Sequence, residues 1–291
     1  MKINVMTATG QLGRKVMDAL LAQGAHPEDL IASARTPDKA ADIAARGVTV
    51  RRADYEDTTS MEQAFQGSEV LLLIPSKATV EPRILQHARA LDAAHAAGVK
   101  RVVFSSLSTA VPNSKFLVSP FMLYAESRLR LSGMDWTILR NGMYLDPVAA
   151  WVPELVAMGR LPYPVKSGRV AYISRDDLAR ATAAALLDSK HGGQIYELTG
   201  PYALSMPELA QAITQVTGQP VRFDSITEAK YAEICRTGEE AVSELMIEFL
   251  VSLYRAVDNG EFATITDHVE RLTGTPAMPV KAYLRQAAQK L

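Results

Sequence analysis

The stretch Met6-Thr7-Ala8-Thr9-Gly10-Gln11-Leu12-Gly13 follows a short apolar segment, Ile3-Asn4-Val5, and leads into a run with Leu12, Val16, Ala19 and Leu20 on one helical face. A strand, a glycine turn and a helix in that order form a receptor for a nucleotide pyrophosphate. Gly10 lets the backbone approach the phosphates and Gly13 lets the helix pack against the strand. The amides of the helix N-terminus add a partial positive charge. The pattern departs at one position, because Thr7 stands where the fingerprint has its first glycine. A β-branched residue is comfortable only at negative φ, so the turn is expected to be slightly rebuilt or the cofactor held further off.

Downstream, short apolar segments alternate with helical patterns. Leu30–Ala34, Val48–Val50, Val70–Ile74, Arg101–Ser105 and Trp136–Leu139 read as strands. The runs from Pro37 to Ala45, Ser60 to Gln66, Pro82 to Ala97 and Pro120 to Ser132 read as helices between them. Unbroken apolar strands alternating with helices predict a parallel sheet covered on both faces. The fold class is therefore α/β, a Rossmann-type doubly wound parallel sheet with a smaller, mostly helical C-terminal subdomain.

Residues 1–150 form the expected dinucleotide-binding domain. Its sheet is completed within 170–200, where Asp176–Leu187 is helical and Ile195–Leu198 is a strand. The chain from about Pro147 to Tyr172 is rich in proline and glycine, with one short helical stretch near Pro153–Met158, and residues 151–169 and 201–291 are expected to form a lid over a substrate pocket. Ser205-Met206-Pro207-Glu208 is a capping-box start for a helix through Val216, and two or three helices are expected beyond Ser225.

Composition narrows the function. A net charge of −1 gives no pull toward nucleic acid or anionic membrane, and no apolar run reaches bilayer-spanning length. The single cysteine, Cys235, excludes an internal disulfide and fits a reducing, cytoplasmic setting. The histidines lack metal-ligand spacing, so no metal is expected. A small molecule is the expected partner of a monomer or homodimer.

The end of the second strand reads Ser33-Ala34-Arg35-Thr36-Pro37-Asp38-Lys39. An acid there serves the ribose hydroxyls of NAD, whereas a basic residue accommodates the 2′-phosphate of NADP. Arg35, with Lys39 one turn into the next helix, favours NADP(H). Asp54-Tyr55 after the third strand either holds the adenine edge or is a solvated loop.

Thr7–Gly13, Ala34–Ala40, Ala53-Asp54-Tyr55, Ala97–Arg101, Leu139-Arg140-Asn141-Gly142-Met143-Tyr144 and Tyr196–Pro201 together resemble the NmrA-like branch of the atypical short-chain dehydrogenases. Within it the chain looks most similar to bacterial NAD(P)H:quinone oxidoreductases and to triphenylmethane and azo dye reductases. The resemblance implies NADPH held by Thr9, Gly10, Gln11, Leu12 and Gly13 and by Arg35. It also implies that Ile74-Pro75-Ser76 and Ser105-Ser106 flank the cofactor, with Asn141, Gly142, Met143 and Tyr144 beside the nicotinamide and an aromatic or quinonoid substrate.

Typical short-chain dehydrogenases carry Tyr-x-x-x-Lys on the helix after the fifth strand, the lysine lowering the tyrosine pKa. This chain has Tyr124-Ala125-Glu126-Ser127-Arg128. Tyr124 and Arg128 share a helix face and are the candidate catalytic pair, with Ser106 as a third member. A surface tyrosine and arginine without a catalytic role is the alternative. The quinone- and dye-reductase likeness implies direct hydride transfer to a conjugated acceptor. Two other functions remain open: a redox sensor that binds NADP(H) without turnover, and a sugar-nucleotide epimerase.

Overall fold

The computed structural model describes residues 1–77, 79–238 and 242–289. Seven parallel strands form the main sheet: β1 (Ile3–Met6), β2 (Leu30–Ala34), β3 (Thr49–Arg52), β4 (Val70–Leu73), β5 (Arg101–Leu107), β6 (Asp135–Asn141) and, later in the chain, β9 (Gln194–Leu198). Their order is β3-β2-β1-β4-β5-β6-β9. The chain builds outward from β1 to β3, then crosses back to place β4 on the other side of β1. The connections leaving β1 and β4 diverge, and a crevice opens at their carboxyl ends. β1, β2 and β4 are buried at every position, whereas β3 at the edge is not.

Helices cover both faces. α1 (Gln11–Ala22) and α8 (Arg175–Leu187) pack on one, with α12 (His268–Thr273) beside α8; α2 (Ala41–Ala44) leads into β3. α3 (Thr58–Phe65), α4 (Val80–Ala96) and α5 (Ser119–Arg130) pack on the other face around Phe65, Phe104 and Phe121. Asn4 shows how a polar residue is tolerated inside this sheet. Its Nδ2 donates to Ala64 O (2.8 Å) and Ser68 Oγ (3.2 Å), and its Oδ1 accepts from Ser33 Oγ (2.8 Å), so both ends of the amide are paired.

A second apolar cluster lies in the later chain, built on Leu161, Tyr163, Tyr172, Leu209, Ile213 and Tyr254. It gathers α6 (Asp146–Ala150), α7 (Val152–Met158), α9 (Met206–Thr217), α10 (Glu228–Thr237), α11 (Glu244–Asp258) and α13 (Val280–Ala288). Two small ribbons complete it. β7 (Arg160–Tyr163) pairs in parallel with β11 (Arg222–Ser225), and β8 (Arg169–Val170) pairs antiparallel with β10 (Leu204–Ser205).

This region corrects the sequence reading in three places. The proline-rich crossing from about Pro147 to Tyr172 holds α6, α7, β7 and β8 rather than one short helix near Pro153–Met158. Strand β11 had no visible signal, and four helices, not two or three, follow Ser225 among the described residues. Strands of two to four residues, one containing Pro162, are too short for a period-2 pattern. The six-residue α12 is likewise too short to display a helical period.

Candidate active site

The loop after β1 closes tightly. Gly10 N donates to Thr7 O (2.9 Å), Ala8 N to Ser33 O (3.0 Å), and Arg14 N to Gly10 O (2.9 Å). A Cβ on Gly13 would lie 2.3 Å from Thr7 O and 3.0 Å from Ala8 Cα, so no side chain fits between helix and loop. Gly10 is the N-cap of α1, with no side-chain cap and no acid in the first turn. The first-turn amides therefore have no side-chain acceptor at the positive end of the helix, which suits an anion.

Thr7 corrects the expectation of a rebuilt turn. Its φ is +59°, the left-handed conformation that glycine adopts without strain. A β-branched residue held there stores about 1–3 kcal/mol. The hydroxyl partly offsets this, lying 2.5 Å from Met6 O and 3.3 Å from Ile74 O. The loop thus keeps the glycine-type backbone despite the threonine.

On the β2 side, Arg35 and Lys39 are exposed and have no ion-pair partner among the described residues. The neighbouring cations are engaged: Arg14 with Asp42, Lys15 with Asp176, Arg46 with Asp18, and Arg52 with Asp57. Two unpaired cations remain at the end of β2. Tyr55 is buried, and its hydroxyl donates to Ile74 O at 2.6 Å, tying the β3 loop to the end of β4. Burial pushes its pKa far above the usual phenol range. Asp54 Oδ1 accepts from Glu56 N at 3.1 Å, a local turn contact. Half-buried Ile74, Pro75 and Ser76 follow β4, and Ser76 Oγ donates to Gln86 Oε1 at 2.5 Å.

The ends of β5 and β6 separate two residues that the sequence reading grouped. Ser105 Oγ accepts from Asn141 Nδ2 (3.0 Å), and the same amide lies 3.3 Å from the Tyr144 hydroxyl. Ser106, its neighbour, faces the other side of the sheet. There it donates to Glu126 Oε1 at 2.7 Å. Glu126 is fully buried and gripped by Arg140 through Nε (2.9 Å) and Nη2 (2.8 Å). This bidentate pair braces α5 against β6.

Glu126, rather than Tyr124, is thus the ionisable residue of α5 that faces inward. Tyr124 is 37% exposed with no hydrogen-bond partner among the described residues. Arg128 bonds Asp92 of α4 at 2.8 Å. Among the described residues no hydrogen bond joins Tyr124 and Arg128 to each other or to Ser106, which bonds Glu126 instead.

Gly142 N donates to Leu198 O at 2.8 Å, and a Cβ there would meet the same oxygen at 3.0 Å. Met143 O accepts from Ile173 N at 3.0 Å. These bonds hold the segment after β6 flat against its neighbours and carry Tyr144 into the apolar cluster that contains Ala8 and Leu12. Arg175, the first residue of α8, sits 4.9 Å over the Tyr144 ring and pairs with Asp146 at 3.4 Å. Burial raises the Tyr144 pKa, against the pull of the Asn141 hydrogen bond and the Arg175 charge.

Sequence reasoning missed Arg175 and Glu126, because nothing local announces a partner across the sheet. Trp151 stacks on buried Tyr163 (centroids 5.8 Å apart) within the second apolar cluster. An open cleft of about 860 Å³ lies among Lys166, Thr227, Arg255 and Asp258 and shares no residue with the β1 and β4 loops. Among the described residues there is no cluster able to hold a metal and no helix long and apolar enough to cross a membrane.

These features define a Rossmann-type α/β protein with its crevice at the β1/β4 switch point. The chain belongs to the NmrA-like family, whose model matches residues 1–279. It is 36% identical over 230 residues to quinone oxidoreductase 2 of Escherichia coli (strain K12), covering 79% of each chain. The crystal structure of the Citrobacter sp. triphenylmethane reductase complexed with NADP(H) matches with a TM-score of 0.92 and 30% identity, over 99% of this chain and 100% of that one. A nucleoside-diphosphate-sugar epimerase from Staphylococcus aureus matches at 0.91 and 29%, over 98% and 100%.

Proposed function

We propose that the protein is an NADPH-dependent oxidoreductase that passes hydride to a quinone-like or otherwise conjugated small molecule. The observation that carries this reading is the uncapped start of α1, held against Thr7 by Gly13, together with the unpaired cations Arg35 and Lys39. Backbone amides from Thr9 to Gly13 hold the pyrophosphate, and Arg35 with Lys39 holds the 2′-phosphate. Asp54, Tyr55 and the Ile74–Ser76 turn border the cofactor, while Ser105 and Asn141 stand at the nicotinamide end. Gly142, Met143 and Tyr144 face the acceptor, under the lid formed by 151–169 and 201–291. Bound NADPH supplies the hydride; the chain supplies orientation and exclusion of water.

The named activities of the E. coli and Citrobacter relatives support this class of acceptor. The epimerase reading has less support, because it calls for a tyrosine activated by a neighbouring lysine. Here Tyr124 is unpartnered and Arg128 is committed to Asp92. The test mixes purified protein and NADPH with a panel of quinones, cationic dyes and enones and follows the nicotinamide absorbance. Consumption with a conjugated acceptor is expected. Tight NADP(H) binding without consumption by any acceptor contradicts the reductase and favours the sensor.

A further inference from the structure

Two buried asparagines of the main sheet differ in one respect. Asn4 has both ends of its amide paired inside the protein. Asn141, at the carboxyl end of β6 and 1% exposed, spends its Nδ2 on Ser105 and Tyr144, and its Oδ1 has no partner among the described residues. Either orientation of the amide leaves one end unpaired. An unpaired buried amide end at a strand terminus points to a ligand.

Tyr144 shares the anomaly. With Asn141 Nδ2 turned toward it, its hydroxyl only accepts, and its own proton goes to no acceptor among the described residues. Two buried tyrosines have used theirs, Tyr55 on Ile74 O and Tyr172 toward Met206 Sδ, whereas Tyr144 is half-buried. Arg175 lies over the Tyr144 ring at 4.9 Å, where its charge favours a transient phenolate. Asp146, held to Arg175 through both its side chain and its backbone amide, fixes that guanidinium.

We propose that Tyr144 delivers the proton that a neutral carbonyl acceptor requires once it has gained hydride, with Asn141 positioning the phenol. The inference rests on the reductase reading above. A quinone that gains hydride becomes a hydroquinone monoanion. The Tyr144 O–H bond breaks, a new O–H bond forms on the product oxygen, and the phenolate takes a proton back from water. A cationic triphenylmethane dye behaves differently: hydride on its central carbon gives a neutral product, and no proton is needed.

That difference supplies the test. Turnover of 2-methyl-1,4-naphthoquinone and of malachite green is measured for the unaltered protein and for Tyr144→Phe, which keeps the ring beneath Arg175. The ratio of quinone to dye turnover is expected to fall about 100-fold. A parallel equilibrium measurement uses the naphthoquinone with NADP⁺, which has no hydride to give. Tryptophan quenching should show about 5-fold weaker quinone binding in the variant, the loss of one hydrogen bond. An unchanged turnover ratio, whether both rates hold or both fall together, overturns the role of Tyr144. Failure of the unaltered protein to oxidise NADPH with either acceptor overturns the reductase reading itself.

Discussion

Helices α1 and α9 are both 12 residues long and begin in opposite ways. The N-terminus of α9 is sealed by a full capping box. Ser205 Oγ accepts from Glu208 N, Glu208 Oε2 accepts from Ser205 N at 2.8 Å, and Arg169 anchors the glutamate from outside. The N-terminus of α1 has a glycine cap, no acid and no side-chain acceptor, and it faces a loop held in a strained conformation. Side chains close the start of α9, whereas α1, like α5 and α13, begins with no side-chain cap and no first-turn acid; what sets α1 apart is the glycine loop packed against it. The same contrast separates Asn4 from Asn141.

Four substitutions break or sharpen this comparison. The largest effect is expected from Gly13→Ala. Its Cβ meets backbone at 2.3 Å, so loop and helix must part. Denaturant unfolding should show a loss of about 3 kcal/mol, with NADPH binding abolished in a calorimetric titration. Arg35→Glu comes next. Removing a charge-assisted contact to a phosphate should weaken NADPH binding by about 2 kcal/mol and leave stability and NADH binding in place. An unchanged preference between the two cofactors would refute the assignment of Arg35.

Ser205→Ala tests the sealed helix. It should cost about 1 kcal/mol in unfolding and nothing in NADPH affinity, the reverse of the Arg35 pattern. Thr7→Gly has the smallest expected effect and the opposite sign. Relief of the left-handed strain, reduced by the lost hydroxyl contacts and the added freedom of the unfolded chain, should leave a gain of about 0.5 kcal/mol. A destabilised Thr7→Gly protein with a lower melting temperature would mean that the threonine side chain, not the backbone shape, holds the loop.

The legibility of the sequence follows the same division. The central strands could be read because residues buried on both faces form continuous apolar runs, as in Val70–Leu73 and Leu30–Ala34. The ribbons β7–β11 and β8–β10 could not, because each is a brief pairing between segments far apart in the chain. Within the proposed site, the glycine loop and Arg35 are local signals that the sequence displays directly. The conformation of Thr7 was misread because local preference favours negative φ, whereas in the fold Thr7 O packs closely on Gly13 and the residue sits at φ +59°.

Ser105 and Ser106 were read as one unit. Only the three-dimensional sheet shows that one turns toward Asn141 and the other toward Glu126. Arg175 reaches Tyr144 from 31 positions along the chain, and that proximity comes from the short parallel bridge between Tyr144 and Ile173. A helical pattern placed Tyr124 and Arg128 on one face of α5, and only the packing of α4 and α5 showed that Arg128 turns to Asp92.

The central claim is that the open start of α1 and the unpaired Arg35 together form a receptor for NADPH. Calorimetric titration of the unaltered protein with NADPH and with NADH tests it most directly. The account predicts saturable binding of both, with NADPH tighter by at least about 10-fold. Equal affinities, tighter NADH, or no binding of either would contradict it.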